Sequence, residues 1–234
     1  MKYKKIVAGR FVERPNRFIA YVEIHGKEEV CHVKNTGRCR ELLTKGCRVY
    51  LEENDHPNRK TKYDLVAVEK GERLINMDSN APNQVVKEWL SSPECILFRE
   101  EKQIFIKPEC KYGNSRFDFY IETEKRKIFM EVKGVTLEEQ GVVKFPDAPS
   151  ERAVKHIEEL IMSLEEGYEA YVMFVVQMKG VTCFTPNGAT HEKFCAVLKE
   201  AAKKGVNILA YDCQVTENSL KLDEPVRVCL DSPD

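Results

Sequence analysis

Asp118, Glu131 and Lys133 have the types and spacing of a hydrolytic site that works through a metal ion. They lie within residues 117–133, a stretch that reads as a β-hairpin. Phe117, Phe119 and Ile121 alternate with other residues before a polar turn, and Ile128, Met130 and Val132 alternate after it. Centring the turn on Glu124 and Lys125 pairs Ile121 with Ile128, Phe119 with Met130 and Asp118 with Glu131. In that register the six apolar residues form one face, and Asp118, Glu131 and Lys133 form the other. Opposed side chains start from Cβ atoms roughly 4.5–5.5 Å apart. Two carboxylates so close repel each other unless a cation sits between them, and hard oxygen ligands favour Mg²⁺ or Mn²⁺ over zinc. Lys133 shares their face and is positioned to orient a water or to balance charge growing on a phosphate. The set predicts Asp118 and Glu131 as metal ligands and all three residues as catalytic groups for phosphodiester hydrolysis. The competing reading is an exposed hairpin face carrying ordinary surface charges, where Glu-x-Lys pairs are common.

Around the hairpin, the pattern from residue 81 onward supplies a scaffold. Pro82 opens an amphipathic helix over 83–90 with Val85, Val86, Trp89 and Leu90 on its apolar side. Strands follow at 103–106, 115–121 and 127–132, then a helix at 149–166 and a strand at 169–177. Ala153, Ile157, Leu160, Ile161 and Leu164 anchor that helix, Asp147 or Ser150 caps it, and Gly167 stops it. The order is α-β-β-β-α-β, which implies a right-handed crossover and a mixed sheet. A helix at 191–204, stopped by Gly205, and a strand at 207–213 close the chain. Gln177, ending the crossover strand, is either an accessory ligand-binding group or a solvated strand end. Glu88 and His156 read as exposed helix residues, with metal and phosphate contacts as their respective alternatives.

The first 80 residues have a different texture: strands at 4–12, 17–25, 28–33, 47–52 and 63–69, separated by turn signals such as 25–27 and 54–58. At most two helical turns fit between the third and fourth strands. Five strands with a short helix after the third match an OB-like barrel, a common nucleic-acid platform. We therefore expect two domains, residues 1–80 and 81–234, with separate cores and Trp89 in the second.

Residues 1–48 carry 12 Lys and Arg against 5 Asp and Glu, whereas the whole chain has a net charge of −1. That local excess suits a polyanion, DNA first and RNA also open, although a solvated basic surface would look the same. Arg10, Arg14 and Arg17 interleave with Phe11 and Phe18, as in single-strand binders, but the two phenylalanines equally suit a barrel core. Lys34, Arg38 and Arg40 flank an exposed turn and are further candidates for phosphate contact.

Nine cysteines, odd in number and without a C-x-x-C pair, read as buried thiols rather than a disulfide framework or zinc site. No segment approaches the ~20 apolar residues of a membrane span and no leader pattern opens the chain, so a cytoplasmic protein with no membrane partner is expected. No phosphate loop of the G-x-x-x-x-G-K-[ST] type occurs, which argues against a nucleotide-processing enzyme and for no obligate small-molecule cofactor. Oligomeric state is open.

The hairpin resembles the core motif of the PD-(D/E)XK nuclease superfamily, with an Asp on one strand and Glu-x-Lys on the next. The proline that precedes the first acidic residue in that pattern is absent, with Phe117 in its place. Tyr112-Gly113-Asn114-Ser115-Arg116-Phe117-Asp118-Phe119, Glu131-Val132-Lys133-Gly134-Val135-Thr136-Leu137 and Phe145-Pro146-Asp147-Ala148-Pro149-Ser150-Glu151-Arg152 resemble the sugar fermentation stimulation protein A family. His32, Asn35, Thr36, Gly37 and Arg38 resemble its front half. The resemblance covers nearly the whole chain. It implies an OB-like barrel followed by a nuclease-like α/β domain, DNA binding, and a regulatory link to sugar, notably maltose, utilisation. Whether the site turns over is left open by it.

Overall fold

Residues 19–24 alternate between buried and more exposed sides, as a strand with one face turned into a barrel does. The structure, a computed structural model, describes residues 1–231 except 36, 56, 58 and 102. Thr36 and part of the expected turn at 54–58 therefore lie outside the described residues. The strands are β1 (Ile6–Glu13), β2 (Ile19–Ile24), β3 (Lys27–Val33), β4 (Arg48–Glu53), β5 (Tyr63–Lys70) and β6 (Arg73–Asn76), in the order β3-β2-β1-β4-β5-β6. Parallel pairing of Cys31 with Tyr63 and Val33 with Leu65 joins β3 to β5 and closes a five-stranded, OB-like barrel. Positive φ at His25 and Gly26 gives β2 and β3 the tight hairpin turn that suits strand twist. The expected short helix after β3 is only a set of turns around Cys39–Leu43, held by Leu43 N–H donating to Cys39 O at 3.0 Å.

The second half begins with α1 (Ala81–Leu90), continues through a single 3-10 turn at Ile96–Phe98, and reaches β7 (Phe105–Tyr112), β8 (Ser115–Glu122) and β9 (Lys127–Val135). Two short strands follow, β10 (Leu137–Glu139) and β11 (Val142–Phe145), before α2 (Glu151–Glu165) and β12 (Glu169–Val176). Then come β13 (Cys183–Pro186), α3 (Glu192–Lys204), β14 (Asn207–Thr216), β15 (Ser219–Pro225) and β16 (Arg227–Val228). The expected α-β-β-β-α-β order holds, with β10 and β11 interposed. Ser150 caps α2 by accepting from Ala153 N–H at 3.2 Å, and Gly205, with φ 103, ends α3 in the left-handed conformation.

The main sheet runs β15-β14-β12-β9-β8-β7 and is mixed, with β9, β12 and β14 parallel. Strand β12 is buried along both faces, as its unbroken apolar run requires. Residues Val172 and Phe174 meet α2 and α3, whereas Tyr171, Met173 and Val175 meet Val85, Val86, Trp89 and Leu90 of α1. Trp89 thus belongs to the second half, as expected. The smaller sheet is β10-β11-β13-β16.

One expectation is corrected. The barrel's Val22, Leu51, Leu65 and Ile75 belong to the same continuous apolar cluster as Phe129, Leu160 and Phe174, so the halves do not have separate cores. No helix among the described residues is long and apolar enough to cross a membrane.

Candidate functional site

Ladder pairs Ile121 with Ile128 and Phe119 with Met130 have the register read from the sequence. Beyond Phe119 the alternation breaks. Phe117 joins Phe129 and Tyr112, at ring distances of 5.1 and 5.5 Å, on the α2 face instead of continuing the Phe119 face toward α1. On the neighbouring strand, Glu109 sits with φ 52 between the Pro108–Phe119 and Cys110–Phe117 pairs. The edge strand is irregular there, and Pro108 has no N–H to give the ladder. This corrects the expectation of two clean hairpin faces.

Asp118 hydrogen-bonds away from its strand. Its Oδ2 accepts from Val132 N–H at 2.7 Å and its Oδ1 from Asn83 Nδ2, on the first turn of α1, also at 2.7 Å. Burial pushes its carboxyl pKa up, and the charge of Glu131 adds to the rise against these two donors and Lys133.

Glu131 has the opposite environment. It is 3 % exposed, and its Oε1 accepts from Lys133 Nζ at 2.5 Å and from His156 Nδ1. Burial alone would raise its pKa, but the His156 hydrogen bond and the Lys133 charge outweigh that and hold it below the usual carboxylate range. Its Oε2 is buried with no hydrogen-bond partner. The ladder ends at Phe119 with Met130, so Asp118 and Glu131 do not form the expected cross-strand pair, and their carboxyl pKa values move in opposite directions, as at sites where two acids have different duties.

His156, expected on a solvated helix flank, is instead buried at 4 % exposure, with the edge of its ring toward Phe117. Arg152 Nε donates to its Nε2 at 3.4 Å, which favours the tautomer with the proton on Nδ1, facing Glu131. Glu88 lies elsewhere, paired with the N-terminal ammonium at 2.6 Å.

Gln177 is 1 % exposed, so it is not a solvated strand end. Its Nε2 donates to Asn76 Oδ1 at 2.9 Å and to Asp78 O at 3.0 Å, tying β12 to the end of the barrel. Its Oε1 faces Gly134, where a Cβ would fall 2.6 Å from that oxygen and 2.8 Å from Pro82 Cγ. A side chain beside Lys133 would have to push Gln177 or Pro82 aside.

On the barrel, Arg14, Arg17, Arg38 and Arg40 border one groove of about 660 Å³, with Lys45 and Phe11. Arg17, Arg38 and Arg40 are exposed. Arg14 has a different task from the expected phosphate contact. Its guanidinium donates to the carbonyls of Arg17, Asn35, Gly37 and Arg38 at 2.6–2.9 Å and so shapes the loop. Lys34 is likewise committed inward, 3.0 Å from buried Asp78. Arg10 is exposed outside this groove and donates to Gly46 O at 3.2 Å. Phe11 is core, but Phe18 is 48 % exposed with Arg17 over its ring.

Among the described residues no cluster of three or more His, Cys, Asp or Glu is arranged to hold a metal. The nine thiols are free, five of them buried. Asp118 and Glu131 offer two carboxylates, with one orphaned oxygen facing no donor.

Two family models divide the chain between them: the SfsA N-terminal OB domain matches residues 12–77, and the sugar fermentation stimulation protein RE domain matches 80–219. A sugar fermentation stimulation protein homolog of Clostridium beijerinckii is 57% identical over 230 residues, 98% of this chain and 100% of the relative. One from Desulfitobacterium hafniense is 59% identical over 98% of this chain and 99% of its own length. Among solved structures, Pyrococcus furiosus SfsA in complex with Ca²⁺ superposes with a TM-score of 0.84 at 28% identity, covering 97% of both chains. With an OB-like barrel, a mixed-sheet second half and relatives matched over almost its full length, the chain belongs to the sugar fermentation stimulation protein (SfsA) family.

Proposed function

We propose that this protein binds nucleic acid, DNA foremost, through the barrel and hydrolyses its phosphodiester backbone at Asp118, Glu131 and Lys133 with Mg²⁺ or Mn²⁺. The observation that carries this reading is the buried oxygen of Glu131 left without a partner beside Asp118, whose own ionisation that neighbour opposes. Leaving a charged oxygen buried and unpaired is costly, and a cation held here would remove the cost. Two protein ligands leave room for water and phosphate oxygens, the arrangement Mg²⁺ tolerates best. The archaeal relative was solved with Ca²⁺, another hard cation with a preference for oxygen.

When bound, the cation would supply Lewis acidity toward a phosphate oxygen and lower the pKa of an attacking water. Asp118 and Glu131 would hold it. Asn83 and the Val132 N–H fix the Asp118 rotamer, while His156 and Lys133 fix that of Glu131. Lys133 is 13 % exposed at its side chain, so its ammonium can turn from Glu131 to a phosphate and offset the charge that grows in the transition state. Arg17, Arg38 and Arg40 supply the phosphate contacts on the barrel, and a DNA-directed role assigns the protein to the cytoplasm.

A second reading, a catalytically quiet DNA-binding regulator of sugar (maltose) utilisation, is favoured by one observation: Lys133 already pairs with Glu131, and His156 hydrogen-bonds it, without a metal. Cleavage assays on single-stranded, double-stranded and branched DNA and on RNA, with Mg²⁺ or Mn²⁺, separate the two. Hydrolysis lost in Asp118→Asn and slowed in Lys133→Ala supports the nuclease. DNA binding without hydrolysis, unaffected by either substitution, supports the regulator.

A further inference from the structure

A polar cleft of about 180 Å³ lies between the carboxylate pair and the basic groove of the barrel, lined by Asn35, Ser79, Thr136, Phe145, Asp147 and Gln177 among others. It shares Gly37 with the basic groove, and Gly134, one residue past Lys133, lines its other side. A strand running from the groove to Lys133 therefore passes its mouth.

Lys144 also lines the cleft, its ammonium paired with Glu139 at 2.6 Å, and beside the Thr136 hydroxyl two acceptors are free among the described residues. No hydrogen bond reaches the Asp147 carboxylate or Gln177 Oε1 among the described residues, while the nitrogens of Asn35 and Gln177 are spent on Met77 O, Asn76 Oδ1 and Asp78 O. Both acceptors abut glycine. A Cβ on Gly37 would fall 2.5 Å from Asp147 Oδ2, and one on Gly134 would fall 2.6 Å from Gln177 Oε1. Side chains at those positions would displace the acceptors. Phe145, half-buried and braced by Phe174 and Phe194, adds an aromatic wall. The space is smaller than the roughly 300–1,000 Å³ of sites for drug-sized ligands, and it suits one planar ring system.

We infer that this cleft takes an unpaired guanine base of the bound nucleic acid. Guanine has two adjacent donors, N1–H and the N2 amino group, on its pairing edge, and a carboxylate can accept both together. Cytosine and adenine set an acceptor beside their amino group, and thymine and uracil set acceptors on both sides of their N–H, so each would bring a lone pair against Asp147. A duplex hides that edge, which makes the reader one of single strands, loops or flipped bases. The assignment rests on the nucleic-acid reading above and not on cleavage.

The test is binding of labelled dT8 and of dT8 carrying one dG, dA or dC at each position in turn, measured with the full chain in EDTA so that hydrolysis plays no part. One position should favour dG about tenfold or more. Asp147→Asn, which turns one acceptor into a donor, should abolish that preference by lowering dG affinity to that of the other bases without weakening dT8, with unchanged thermal melting reporting the fold. Asp147→Ala should also lose it. Equal affinity for all four bases, or a dG preference that survives both substitutions, overturns the guanine assignment while leaving the nucleic-acid reading intact. Failure to bind any of the oligonucleotides at low salt overturns both.

Discussion

His156 reaches from α2 to Glu131 Oε1 and leaves Oε2 as the oxygen of that carboxylate without a partner. A group that orients a metal ligand typically governs metal affinity by 10–100-fold. His156→Ala should weaken Mn²⁺ binding by about that factor in titration calorimetry and cost about 3 kcal/mol of stability, because a buried carboxylate loses a partner. His156→Asn, which keeps a donor near the Nδ1 position, should recover much of the Mn²⁺ affinity. A variant that lost stability but bound Mn²⁺ normally would make His156 a packing residue only.

The two kinds of barrel arginine should separate in a salt series. Removing Arg38 and Arg40, which are exposed and border the groove, should lower DNA affinity and reduce the slope of log affinity against log salt by up to about one unit for each phosphate no longer neutralised. Arg14→Ala should instead show itself in thermal melting, since four loop carbonyls lose their donor. An unchanged slope in the Arg38 and Arg40 variants would move the DNA surface elsewhere.

Glu138, 3 % exposed, accepts from Lys70 at 2.8 Å and pairs with Arg73 at 2.7 Å, linking β10 to the barrel. Burial would raise its pKa, but the Lys70 bond, the Gly141 N–H and the two cationic charges hold it below the ordinary 4.5. A depressed folded pKa contributes stability that is complete above about pH 4.5 and is lost as pH falls through the folded value. Glu138→Gln should therefore cost about 3 kcal/mol at pH 7, and urea titrations should show the difference from wild type shrinking below pH 4.5. A deficit independent of pH would assign the loss to packing.

Gly134→Ala tests the crowding beside Lys133. With neighbours at 2.6 and 2.8 Å awaiting its Cβ, the substitution should cost about 1–3 kcal/mol and displace Gln177 or Pro82. Thermal melting reads the first effect and Mn²⁺ affinity the second, since Pro82 neighbours the Asn83 that holds Asp118.

Because one apolar cluster runs through both halves, urea should unfold the chain in a single transition seen alike by Trp89 fluorescence, which reports the second half, and by far-ultraviolet circular dichroism. Two separated transitions would restore the independent cores expected from the pattern change at residue 81.

That mistaken expectation marks what a local pattern can carry. The five barrel strands and the register of Ile121 with Ile128 were legible because a period of two survives over six or more residues. β6, β10, β11, β13 and β16 span two to four residues, too few for a period to register. His156 did leave a signal: with Ala153, Ile157 and Leu160 it falls on the buried stripe of α2, although a histidine on a helix flank is usually solvated. The inward duties of Arg14 and Lys34 left none, since their partners are set by loop closure and by contacts up to 44 residues away. The change of face between Phe119 and Phe117 lies opposite Glu109, whose φ of 52 no pattern within the hairpin encodes.

Gln177 is joined to Asn76 twice, by its carbonyl accepting from Asn76 N–H at 2.9 Å and by its side-chain amide donating to Asn76 Oδ1. Under the proposed nuclease activity that stitch would act as a ruler. The loop bearing Arg38 and the sheet bearing Lys133 are fixed on either side of it, so a strand gripped at one point would be presented to the other at a constant offset. Any product would then end a set number of nucleotides from the gripped end, giving a sharp band where two hinged domains would leave a ladder.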